Sequence, residues 1–148
     1  VPERPEELTT EGGLDVRRQE KQLIPFIQTL KRAGIRVSIF VDPDEDQINA
    51  CCQVGVDLIE INTGLYAELK PGPRKVKALE AIKTAASLAE ELGLEVHAGH
   101  GLDYHNVRPI VNIPQIEELS IGFAIVARSA VVGIDRAVRD MIKLLKRS

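Results

Sequence analysis

The stretch LEVHAGHGLDYHNV, residues 94–107, sets an alternating apolar run against a turn built on two glycines, with three histidines, a tyrosine and an asparagine crowded around it. Leu94, Val96 and Ala98 alternate with Glu95 and His97, the period of a β-strand, so LEVHAG (94–99) reads as a strand. Gly99 and Gly101 flank His100, which lets the main chain turn sharply and offer bare amide N–H groups beside an imidazole. A loop of this kind is suited to binding an anion and to moving a proton next to it.

Outward from that loop the chain repeats one grammar: amphipathic helix, glycine, short β-branched strand. Gly34, Gly55 and Gly93 punctuate it and read as helix C-caps. Leu23, Ile24, Ile27 and Leu30 mark a first helix over Lys21–Ala33, with Pro25 in its first turn, followed by the strand RVSIFV (36–41). Asp44 caps a second helix with Ile48, Cys51 and Cys52 on one face, and the strand DLIEIN (57–62) follows. The third helix is the longest, with Pro73 near its start and a predicted apolar stripe of Val76, Leu79, Ile82, Ala86 and Ala89. A last strand, EELSIG (117–122), precedes SAVVG and a terminal helix bearing Ile134, Val138, Met141, Ile142 and Leu145.

Strands that alternate with helices imply parallel pairing and right-handed crossovers, so their C-terminal ends gather on one side of the sheet, where such folds place their chemistry. Those ends carry Asp42, Glu60 with Asn62, the His100 loop and Gly122. The expected class is therefore α/β with a parallel sheet, in a single domain over residues 1–148.

Composition narrows the function classes. The chain is 44% apolar and 28% charged, with no Trp, which fits an aliphatic-cored globular protein. A net charge of -3 with dispersed Lys and Arg gives no footprint for nucleic acid or an anionic membrane. There is no run of about 18 apolar residues, and VPERPEELTTEGG (1–13) has no signal-peptide pattern, so a cytoplasmic protein is expected. Cys51 and Cys52 are adjacent and are expected to pack rather than to bond or bind metal.

Glu60 interrupts the apolar run LIEI in a strand expected to be covered on both faces. Leu58, Glu60 and Asn62 share one face, and if Ile59 and Ile61 face the helices, Glu60 points inward, where its charge needs a partner or a ligand. A structural ion pair would satisfy it as well as a catalytic role. His100 reads either as a proton donor or as a residue that caps a helix or meets solvent. His97, inside the strand, reads as a satisfied core histidine, and His105, with Asp103 or Asn106, as serving the start of a short helix.

VPERPEELTTEGGLDV (1–16), VSIFVDPD (37–44), IEINTGLYA (59–67), HAGHGLDYHNV (97–107) and LSIGFAIVARSAVVG (119–133), in this order, resemble the pyridoxine 5'-phosphate synthase family over essentially the whole chain, from the family's fourth barrel strand onward. The resemblance implies an α/β fold of the parallel (β/α) TIM-barrel type, which takes about 250 residues when whole, with only the C-terminal part present in this chain. It implies condensation of 1-deoxy-D-xylulose 5-phosphate with 3-amino-2-oxopropyl phosphate to give pyridoxine 5'-phosphate, phosphate and water, with no metal or other cofactor. It implies His100 as proton donor and Glu60 as transition-state stabiliser. Thr9 would bind the pentulose phosphate, and Gly101 and Gly122 with its neighbour Phe123 the phosphate of the amino ketone. It also implies a homo-oligomer whose partners are small phosphorylated substrates. Phe123 and Asn62 depart from it, since each stands where the family commonly has histidine, so at Phe123 only a main-chain N–H contact is expected to survive. Read without the resemblance, Thr9 serves equally as a turn or cap residue. The family's first three strands supply a further histidine, a glutamate and an arginine that nothing here matches, so this chain is expected to be a fragment or to be completed by another chain. A non-catalytic phosphate-binding half-barrel and a different phosphosugar enzyme are the alternatives.

Overall fold

Four short strands, each about as long as its apolar run allows, are laid side by side by the helices between them. The computed structural model describes residues 1–2 and 12–146. In chain order the elements are α1 (Val16–Arg32), β1 (Ser38–Val41), α2 (Glu45–Val54), β2 (Leu58–Asn62), α3 (Gly64–Glu68), α4 (Pro73–Glu91), β3 (Glu95–Gly99), α5 (Val107–Val111), β4 (Ile116–Ser120), α6 (Phe123–Val132) and α7 (Ile134–Leu145). The strands pair in the order β1-β2-β3-β4, every neighbour parallel. The architecture is the α/β arrangement of a partial (β/α) barrel, as the alternation and the resemblance together predict.

Alternation along each strand separates two faces. Ile39 and Val41 of β1, Ile59 and Ile61 of β2, and Val96 and Ala98 of β3 share one buried core with Ile48 and Cys51 of α2, Ile82 and Ala86 of α4, Ile110 of α5 and Met141 of α7. The other face carries Phe40, Glu60 and His97 in one register row and Asn62, Gly99 and Ser120 in the next. Between Val96 and His97 the register against β4 slips by one residue, so that Val96 pairs with Ile116 but His97 with Glu118. This bulge brings Ser120 level with Gly99 at the top of the sheet.

Local signals set most element ends. The Asp44 carboxylate accepts from Gln47 N at the start of α2, Gly55 closes that helix in the left-handed conformation, and Pro73 occupies the first turn of α4. Cys51 is fully buried, and burial pushes its thiol up to about 12, which leaves it a small apolar packing group as expected.

Three expectations are corrected. Helix α1 begins at Val16 rather than Lys21, and Pro25 lies inside it. The reason is tertiary: the Gln47 side chain accepts from Val16 N at 2.8 Å and donates to the Asp15 carboxylate at 3.1 Å, fixing the helix start from α2. Pro25 and Lys21, whose carbonyl loses its donor, are both exposed, so the missing bond falls on the solvent side of the helix. On α4, Val76 is 59% exposed, and the buried stripe is Ala78, Ile82, Ala85, Ala86 and Ala89, because small residues let the helix approach the sheet. The stretch expected only to lead into the terminal helix is itself helical, α6, and it leans on α7 through Arg128, which reaches the Asp140 carboxylate at 2.6 Å. Of the apolar residues expected on α7, only Met141 is fully buried; Ile134, Val138 and Ile142 are exposed.

Candidate active site

The C-terminal ends of the four strands meet in a set of backbone turns that leave little room for side chains. At β3 the chain passes from Gly99 into His100, whose φ of +81° makes it the one non-glycine residue with positive φ among those described. Histidine tolerates that region better than most residues, but the cost is still of order 1–3 kcal/mol and has to be met by contacts around it. Three such contacts are present. Thr63 N donates to Gly99 O at 2.8 Å, and the Thr63 hydroxyl lies 2.8 Å from Gly99 O and 2.6 Å from His100 O. The imidazole rests on the main chain of Gly64, where a Cβ would stand 2.7 Å from His100 Cδ2. On its other side the Phe40 ring lies 6.2 Å away, centroid to centroid.

Glu60 is half-buried on the open face of β2, and its carboxylate extends across the sheet over Gly99. A Cβ at Gly99 would stand 2.2 Å from Glu60 Oε1 and 2.8 Å from Ser120 Cβ, so the missing side chain is what admits the carboxylate. Among the described residues Glu60 makes no ion pair with Lys or Arg, and its carboxylate lies on the open side of the sheet. Asn62 ties neighbouring strand ends together: its amide donates to Asp42 Oδ1 at 2.8 Å, and its carbonyl oxygen accepts from Gly64 N at 2.9 Å. Asp42 Oδ1 also accepts from Gly13 N at 3.0 Å.

Beyond His100 the loop is held from within. Asp103 accepts from the backbone of His105 and Asn106, while Asn106 returns its carbonyl oxygen to Asp103 N and its amide to Gly101 O. Tyr66 donates to Asn106 O at 2.8 Å; burial, and then the Asp103 carboxylate, push its hydroxyl above the usual range and keep it a donor. Gly101 has φ +72°, and a Cβ there would stand 2.7 Å from Ala67 Cβ, so glycine is required on both counts. Gly122 has an ordinary negative φ and open space around it.

Between this loop and the start of α6 lies a cleft of about 800 Å³, lined by His100, Gly101, Asp103, Ser120, Gly122 and Phe123 among others. Helix α6 starts at Phe123 with Gly122 as its N-cap and no side-chain capping bond. Its first N–H groups therefore open on the cleft with the positive end of the helix dipole, a site suited to a phosphate. The Phe123 ring is 89% exposed, so this position contributes its main chain and an apolar rim.

Residues 1–147 match the family model described as pyridoxal phosphate biosynthesis protein PdxJ. The chain belongs to the PdxJ family. It is 50% identical to the pyridoxine 5'-phosphate synthase of Chlorobium luteolum over 98% of this chain and 61% of that protein. It is likewise 50% identical to that of Geobacter sulfurreducens, over 99% of this chain and 61% of the relative, and 51% identical to that of Thioalkalivibrio sulfidiphilus, over 100% and 60%. The chain thus spans about three fifths of the length of the curated relatives it matches.

Of the residues singled out in this PdxJ-family sequence, the structure brings His100, Gly101, Gly122 and Phe123 around one cleft and sets Glu60 next to it across Gly99. Thr9 lies outside the described residues. His97 is bonded through Nε2 to Glu95 Oε1 at 2.8 Å, and Arg36 holds the other Glu95 oxygen, so one ring nitrogen is engaged by a carboxylate of its own strand. His105 is exposed, and the start of α5 is organised by Asp103 and Asn106 instead. Sequence reasoning missed Thr63 and Gly64, and read Gly99 only as a turn residue rather than as the gap that admits the Glu60 carboxylate. The signal for the glycines was their spacing opposite a charged or bulky residue on the next strand; for Thr63 there was none, since a threonine before a helix reads as its cap.

Proposed function

We propose that this chain is the part of a pyridoxine 5'-phosphate synthase that holds a proton donor, a stabilising carboxylate and the cradle for one phosphate. The reaction joins 1-deoxy-D-xylulose 5-phosphate to 3-amino-2-oxopropyl phosphate and gives pyridoxine 5'-phosphate, phosphate and water. The observation that carries this reading is the meeting of the His100 imidazole with the uncapped start of α6 in one cleft, with the Glu60 carboxylate one glycine away.

Each group has a task that its position suits. The amide groups at Gly122–Ala124 and the helix dipole favour a phosphate dianion, and Gly101 lets the opposite wall approach it closely. Imine formation between the amine of one substrate and the ketone of the other creates positive charge, which a fixed carboxylate such as Glu60 stabilises without reorganising. His100 donates a proton as phosphate leaves. Phe123 supplies no side-chain donor, so the phosphate rests on main-chain groups. Thr9 is assigned to the pentulose phosphate. A cytoplasmic homo-oligomer acting on small phosphorylated substrates completes the reading.

Formation of pyridoxine 5'-phosphate by the full-length gene product tests it. His100→Asn keeps a polar shape but cannot exchange a proton near neutral pH, so turnover is expected to fall about 100- to 10,000-fold with phosphate binding largely kept. Glu60→Gln is expected to slow turnover without unfolding the protein, because the amide keeps the shape and loses the charge. Product formation at the wild-type rate in both variants would overturn the assignment.

A further inference from the structure

Thr63 stands immediately before α3 and is fully buried. A threonine in that position ordinarily turns its hydroxyl onto the amides of its own helix, yet here it makes no capping bond. The hydroxyl is directed across to the neighbouring strand end, within hydrogen-bonding distance of both Gly99 O and His100 O, and the Thr63 amide holds Gly99 O as well. The next residue, Gly64, forms the floor under the imidazole, and its amide is fixed by Asn62 Oδ1. Two consecutive carbonyls are thus held at the point where His100 adopts its left-handed φ of +81°. Without that hold the residue is free to relax toward negative φ, which would swing the ring off Gly64 and out of line with the cleft.

We propose that Thr63 is a positioning residue for His100: its buried hydroxyl locks the Gly99–His100 backbone in the left-handed turn that aims the imidazole into the cleft. The claim rests on the reading of His100 as the proton donor. It predicts that losing the hydroxyl damages the chemical step while leaving substrate binding, which depends on Gly101 and α6, mostly intact.

The experiment compares Thr63→Val, which keeps the shape and removes the bonds, with Thr63→Ser, which keeps the hydroxyl, in the full-length gene product. For Thr63→Val, kcat is expected to fall about 10- to 100-fold, the scale of a misaligned catalytic group, with KM changed by less than about threefold. Thr63→Ser is expected to return kcat to within about threefold of wild type. A kcat per folded molecule that is unchanged in Thr63→Val, or a loss that Ser does not restore, would overturn the proposal. If Thr63→Val does not fold, Thr63→Ala serves in its place, because it also removes the hydroxyl, and the same fall in kcat at constant KM is expected. If the wild-type protein makes no pyridoxine 5'-phosphate, the functional reading fails separately. The backbone claim is then decided by NMR, since a left-handed residue shows strong cross-relaxation between its own amide and Hα protons. That signal at His100 is expected in wild type and Thr63→Ser and lost in Thr63→Val; its persistence in Thr63→Val would sink the claim.

Discussion

A single absent methyl group decides where the carboxylate of Glu60 can lie. At Gly99 an added Cβ would come within 2.2 Å of Glu60 Oε1, the far end of a flexible side chain, and within 2.8 Å of Ser120 Cβ, which is fixed to its strand. The carboxylate can swing away but Ser120 Cβ moves only with its strand, so Gly99→Ala should cost about 1–3 kcal/mol of stability, the range for overpacking. Turnover should suffer more, by about 10- to 100-fold, because the charge is moved off the position it is held to serve. Urea denaturation together with kcat separates the two; a variant as active as wild type would show that Glu60 acts from another rotamer or not at all. Glu60 and His100 were legible in the sequence because each breaks a local rule: a charge inside an apolar strand, and a bulky residue between two glycines. Thr63 breaks no local rule. Its partners are 36 and 37 residues away, and only the pairing of β2 with β3 brings them to it.

Elements were legible where their ends are set locally and obscure where a neighbour sets them. The starts of α2 and α4 follow from Asp44 and Pro73, whereas the start of α1 depends on Gln47, 31 residues on from Val16, and the sequence signal of Pro25 pointed elsewhere. The junction of α1, β1 and β2 carries a similar long-range tie. Asp57, just before β2, accepts from Val37 N at 2.9 Å and stands 3.0 Å from Lys31 Nζ, and these contacts, the backbone bond foremost, hold its carboxyl below the usual carboxylate range. A carboxyl lowered in the folded state contributes stability that is present above its unfolded value, near 3.9, and is lost as pH falls through the lowered folded value. Asp57→Asn can still accept from Val37 but no longer titrates. Its unfolding midpoint in urea should therefore be lower than wild type at pH 7, and the gap should narrow as pH is taken from about 5 to 3. A gap that stays constant over that range would mean that the carboxylate is not linked to folding.

At the scale of the whole molecule, the two edges of the sheet differ in how the described residues meet them. Leu14 N donates to Phe40 O at 2.8 Å and so occupies part of the outer side of β1. Among the described residues no strand pairs with the outer side of β4. Close to it in the chain, α6 and α7 expose Phe123, Val126, Val131, Ile134 and Ile142, with Val131 86% exposed. Exposed apolar side chains favour burial against another chain. The 148-residue chain produced by itself is therefore expected to self-associate at micromolar concentration, with sedimentation showing species above the 16.3 kDa monomer. The double variant Val131→Lys with Ile142→Lys should shift that distribution toward monomer, because both side chains already face solvent and neither belongs to the buried core, so the fold has no reason to change. Far-ultraviolet circular dichroism checks that it does not. A wild-type chain that sediments as a monomer and unfolds cooperatively would mean that four strands and their helices satisfy their own surfaces, and that the exposed residues of α6 and α7 are tolerated rather than awaiting a cover.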